Sequence, residues 1–91
     1  MSADDADARI AQAIVELLTQ RDPAASICPS EAARCLWPAP AWRDHMVEVR
    51  RVALDLAARH FILVTRGTTV VADAAGLRGP VRLRRGPRFP G

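Results

Sequence analysis

The stretch Trp42-Arg43-Asp44-His45-Met46-Val47-Glu48-Val49-Arg50-Arg51-Val52-Ala53-Leu54-Asp55-Leu56-Ala57 decides the fold. Trp42, Met46, Val49, Ala53 and Leu56 recur in alternating steps of four and three, which places them on one face of an α-helix. Val52 and Ala57 flank that stripe, so the spacing predicts a core helix over residues 41–60. On a wheel of about 100° per residue, Val47, Arg51 and Ala58 take the outward centre. Asp44, Glu48 and Asp55 lie beside them, and Arg43 and Arg50 share a flank. The charges can pair along this surface, since Glu48–Arg51 is a step of three and both Arg51–Asp55 and Asp55–Arg59 are steps of four.

Downstream, Phe61-Ile62-Leu63-Val64-Thr65 and Thr68-Thr69-Val70-Val71 are rich in β-branched residues and are separated by Arg66-Gly67, the pattern of a β-hairpin. A loop is expected over residues 73–79. Val81 and Leu83 then alternate with Arg82 and Arg84, which predicts a third short strand with a basic outer face. Residues 86–91 hold two prolines and two glycines and read as a frayed or extended tail.

Upstream, Trp37-Pro38-Ala39-Pro40 forces an extended turn, because each proline pushes its predecessor out of the α region. Before it, Pro29 at a first helical position and Glu31 placed to reach back to the cap start a second helix that runs to Leu36. Its small face of Ala32, Ala33 and Cys35 admits a close neighbour. Ile10, Ala13, Ile14, Leu17 and Leu18 predict a first helix from Asp5 or Asp7 to Gln20, stopped by Asp22-Pro23. The link to residue 26 reads as a short loop.

Three helices with a tight second connection, followed by a hairpin, is the order of a winged helix-turn-helix, an α+β fold. A three-helix bundle carrying an unrelated hairpin is the competing arrangement. Residues 5–85 form the expected single domain, with residues 1–4 and 86–91 as flexible termini. The runs Ile27-Cys28-Pro29-Ser30-Glu31-Ala32-Ala33-Arg34, Trp42-Arg43, Val49-Arg50-Arg51-Val52-Ala53, Gly67 and Gly79-Pro80-Val81-Arg82 resemble a family of short bacterial proteins classed as a domain of unknown function. The resemblance covers about residues 10–84 and implies a winged helix. It transfers no catalytic or binding residue.

Composition narrows the function. Ninety-one residues, 49% of them hydrophobic, suffice for one small core, and with two Trp, two Phe and no Tyr that core is mainly aliphatic. Little apolar material is left over to shape an enzyme pocket. All thirteen basic side chains are arginine, so every cation is a planar fork suited to carboxylate or phosphate. Charge is unevenly spread: residues 1–22 carry Arg9 and Arg21 against five carboxylates, whereas residues 66–91 carry six arginines against Asp73 alone. An anionic partner is therefore to be sought on the C-terminal third.

The N-terminus lacks the basic and apolar regions of a signal peptide, and no apolar run approaches ~18 residues, so a cytoplasmic location is expected. Cys28 and Cys35, seven residues apart, would lie about 10 Å apart on a helix and are expected as reduced thiols. Neither they nor His45 and His60 have zinc-ligand spacing, so no metal or other cofactor is expected. Ser30-Glu31 is accounted for by helix initiation, and no nucleophile has a base placed for it, which argues against an enzyme. Trp37 and Trp42 are expected to close the core around the proline turn, and Arg34 to bridge Glu31 or Glu48, or to meet phosphate.

The expected function is a non-enzymatic module that binds double-stranded DNA as a homodimer. Arg43, Arg50, Arg51, Arg66, Arg82 and Arg84 are the candidate phosphate contacts. The alternative is a protein-interaction module whose wing and tail dock on an acidic protein partner without nucleic acid.

Overall fold

A computed structural model of the chain describes residues 3–71 and 79–90. Its elements are α1 (Ala3–Thr19), β1 (Ser26–Ile27), α2 (Pro29–Leu36), a 3-10 turn (Ala41–His45), α3 (Met46–Ala58), β2 (Ile62–Arg66), β3 (Thr69–Val70) and β4 (Arg82–Arg85). The three helices and four antiparallel strands form an α+β winged helix-turn-helix, with strand order β1-β4-β2-β3.

The core helix is shorter than its sequence pattern implies. Ala41–His45 adopts a 3-10 turn closed by Ala41 N–H to the Pro38 carbonyl at 2.9 Å and Arg43 N–H to the Pro40 carbonyl at 3.3 Å. Such a turn needs partners only three residues back, so it can close directly behind two prolines. His45, at φ −105° and ψ 4°, then leaves helical geometry before α3 begins. Trp42 and Met46 are consequently half-buried at the margin, and the fully packed line is Val49, Val52, Ala53 and Leu56.

The end of α3 is firmly capped. His60 takes the left-handed conformation at φ 66°, its N–H donates to the Ala57 carbonyl, and the Phe61 N–H reaches back to the Leu56 carbonyl at 3.1 Å. These are the two bonds of a Schellman cap, which turns the chain directly into β2.

Against Val49, Val52, Ala53 and Leu56 pack Ile10, Ile14 and Leu18 of α1, Ala32 and Ala33 of α2, and Ile27, Ile62, Val64 and Leu83 of the sheet. Each fully buried Ile or Leu adds about 1.5–3 kcal/mol, so this aliphatic set is the main source of stability. The alternation expected in β4 is present: Val81 and Leu83 are buried, while Arg82 and Arg84 are exposed on the opposite face.

Two segments differ from expectation. Ser26–Ile27, between the segment read as a short loop and the second helix, is a strand that pairs Ser26 with Arg84 and Ile27 with Leu83. Beyond Arg85 the chain is tied back to the helix-to-strand corner by Gly86 N–H to the Phe61 carbonyl at 3.0 Å and Arg88 N–H to the His60 carbonyl at 2.8 Å. Phe89 packs against the core, so this stretch is not extended away from the fold. The loop expected over residues 73–79 lies outside the described residues, apart from Gly79.

Candidate nucleic-acid interface

In a helix-turn-helix the second helix of the pair presents its outer face to a partner, so α3 and its surroundings define the candidate surface. Val47, one residue into α3, is 80% exposed. Leu54 and Ala58 follow on nearly the same bearing at about 100° per residue. Arg51 and Asp55 turn toward α1, and Leu54 and Ala57, the neighbours of Arg50 on the helix wheel, face the β2–β3 hairpin. On that hairpin side Leu54, Ala57 and Ala58 line a groove of about 300 Å³ together with Leu63, Val64 and Val70.

The carboxylates of this surface are largely paired. Glu48 accepts from the His45 ring at 3.2 Å, and Asp55 meets Arg59 at 3.4 Å, the four-residue pair expected from sequence. Arg51 joins neither Glu48 nor Asp55. It reaches α1, where its two terminal nitrogens donate to the two Asp7 carboxylate oxygens at 2.9 and 2.7 Å. These hydrogen bonds hold the Asp7 carboxyl below its ordinary value and push the Arg51 guanidinium higher still.

The six candidate arginines differ in exposure and in position. Arg43 is exposed in the 3-10 turn, Arg50 is half-buried on α3, and Arg66 is exposed at the end of β2, beside the hairpin glycine Gly67 at φ 61°. Arg51, Arg82 and Arg84 hold the fold together. Arg82 donates to the Ser26 hydroxyl and carbonyl, both at 2.9 Å, and Arg84 donates to the Ala24 carbonyl at 3.0 Å, so both fasten β1 to β4. They occupy the sheet face opposite Val81 and Leu83, with the sheet between them and the helices. The strand arginines and the α3 arginines therefore do not converge on one surface.

Around the helix-turn-helix corner, ring contacts replace the expected ion pairs. Trp37 stacks on His45 with centroids 3.7 Å apart and planes 5° from parallel. Arg34 lies over the Trp42 ring at 4.5 Å from its centroid, and Arg43 over the same ring at 5.2 Å. Arg34 bridges neither Glu31 nor Glu48, because Arg21 takes Glu31 at 2.6 Å. Burial pushes the Glu31 carboxyl up, but the Cys28 N–H at 2.7 Å and the cations of Arg21 and Arg82 more than offset this and hold it below its ordinary value. Cys28 is half-buried, Cys35 is exposed, and both are free.

Residues 7–86 match the family model described as a protein of unknown function (DUF3253). The chain belongs to the DUF3253 family. No curated protein matches it. The matched segment runs from α1 through β4 to Gly86, so the family extends over every element of the winged helix, including the short strand β1.

Two groups of functional interest were not legible in the sequence. Arg34 and Trp42 are eight residues apart across the proline turn, and no helical or strand period connects them. Arg85 reads as one more basic residue of the C-terminal third, yet it reaches the end of α1 and lies over the Phe89 ring at 4.7 Å.

Proposed function

We propose that this chain is a non-enzymatic winged-helix module that binds duplex DNA, with α3 directed to the major groove and the β2–β3 hairpin to the backbone. The observation that carries this reading is Val47, 80% exposed in the first turn of α3 between Arg43 of the preceding turn and Arg50 of the next. An exposed apolar side chain suits contact with the thymine methyl group in that groove, and flanking guanidinium groups suit phosphate. Pairing of Asp55 with Arg59 reduces the repulsion that the outward carboxylates would exert on DNA, and Glu48 is engaged by a hydrogen bond with the His45 ring. Arg43, Arg50 and Arg66 are the phosphate contacts in this reading. A cytoplasmic, bacterial setting and a homodimer that doubles the contact surface go with it.

The test is duplex binding by fluorescence anisotropy across a salt series. Arg43→Gln, Arg50→Gln and Arg66→Gln should each lower the slope of log affinity against log salt by about 0.9. Val47→Glu should weaken binding at every salt concentration with the melting temperature unchanged. No binding to any duplex at low salt would overturn the reading.

A second reading is favoured by the apolar groove between α3 and the hairpin, which is better suited to a protein segment than to DNA. It describes a protein-interaction module whose basic wing selects an acidic partner. Purification with one stoichiometric protein and no nucleic acid would favour it.

A further inference from the structure

Most arginines whose contacts are described above are held through their N–H groups: Arg51 by Asp7, Arg82 by Ser26, Arg84 by Ala24 and Arg85 by the end of α1. Arg34 and Arg43 are held differently. Arg34 comes from the last turn of α2 and Arg43 from the 3-10 turn that precedes α3, and both lie over the half-buried ring of Trp42. Attraction between a guanidinium and an aromatic face restrains the cation without using its N–H donors. Side-chain ordering is one of the costs of binding, so a restrained arginine with donors still available is prepared for an oxyanion. The first helix of a helix-turn-helix and the turn after it run along the DNA backbone, where such an oxyanion would lie.

We infer that Arg34 and Arg43, held on either side of the helix-turn-helix corner by Trp42, form a two-arginine clamp for one backbone phosphate region of the duplex. Arg34 is thereby added to the contact set, and Trp42 is a positioning residue that touches no phosphate. The inference rests on the duplex-binding reading above. Lysine cannot reproduce the clamp, since an ammonium lacks the planar fork that stacks and bonds at once.

The experiment uses the full chain at several salt concentrations. Arg34→Gln should lower the salt slope by about 0.9. Arg34→Lys should retain most of that slope while binding more weakly at each concentration. Trp42→Leu should weaken binding about 2- to 5-fold for each guanidinium released. Because the chain has two tryptophans, Trp37→Phe leaves Trp42 as the single emitter. Its fluorescence should change on adding duplex, and Arg34→Gln should diminish the change, a readout independent of whether Trp42→Leu folds. If Arg34→Gln keeps the full slope while Arg50→Gln lowers it, the clamp is wrong and the duplex-binding reading stands. If the unsubstituted chain binds no duplex, both are overturned.

Discussion

The guanidinium of Arg85 donates to the Leu18 carbonyl at 2.8 Å, and the same nitrogen lies 3.1 Å from the Arg21 carbonyl and 3.4 Å from that of Thr19. Helix α1 has no basic residue in its last turn, so the cation that complements its negative end arrives from β4. This contact ties the first helix to the last strand.

Replacing Arg85 should therefore destabilise the protein more than replacing any arginine on the outer sheet face. Hydrogen bonds to a charged group are worth about 1.5–3 kcal/mol, and a chain of this size melts about 4–8 °C lower for each kcal/mol lost. Thermal unfolding of Arg85→Ala by circular dichroism checks this, with Arg85→Lys expected to recover only part of the loss. A melting temperature equal to that of Arg84→Ala would show that the clasp contributes nothing special.

Gly86 is the second point of close approach. A Cβ there would sit 2.6 Å from the His60 carbonyl oxygen and 2.9 Å from the Ile62 nitrogen, both backbone atoms. Gly86→Ala should cost about 1–3 kcal/mol through forced displacement of the helix-to-strand corner. Gly67→Asn should cost far less, because nothing lies within 4 Å and asparagine tolerates its left-handed φ of 61°. Urea unfolding of the two variants should separate them clearly.

Acid should weaken the protein partly through Glu31. Its carboxyl is held below the ordinary value of 4.5 in the folded state, so the unfolded chain binds the proton first as pH falls. The stabilisation is complete above that ordinary value and disappears as pH drops through the lower folded one. Melting temperatures measured between about pH 6 and pH 3 should show unsubstituted protein and Glu31→Gln converging at the acid end. A gap between them that stays constant with pH would contradict the ion pair with Arg21 and the bond from Cys28.

The Arg51–Asp7 pair makes a sharper prediction about the interface. With both terminal nitrogens on Asp7, Arg51→Gln should leave the salt slope of duplex binding unchanged. Asp7→Asn should release Arg51 to phosphate and steepen the slope by about 0.9. Should Arg51→Gln flatten the slope as much as Arg50→Gln, Arg51 must leave Asp7 in the complex.

Much of the winged helix was legible because its signals are local. The apolar period over Val49, Ala53 and Leu56, the proline at the start of α2, Gly67 between two β-branched runs and the alternation of Val81 with Arg82 each involve neighbours a few residues apart. β1 was not legible: two residues, Ser26 and Ile27, cannot display a period, and their strand exists because β4 offers hydrogen-bond partners. Nor could the sequence tell one arginine from another. Composition and spacing determined that the chain carries thirteen guanidinium groups and concentrates them toward its C-terminus. Tertiary structure alone decided that Arg51, Arg82, Arg84 and Arg85 hold elements together while Arg34 and Arg43 rest on Trp42. The physical reason is reach: a flexible arginine stem bonds whatever carbonyl, carboxylate or ring the fold brings near, and that neighbour is fixed by packing rather than by adjacency in the chain.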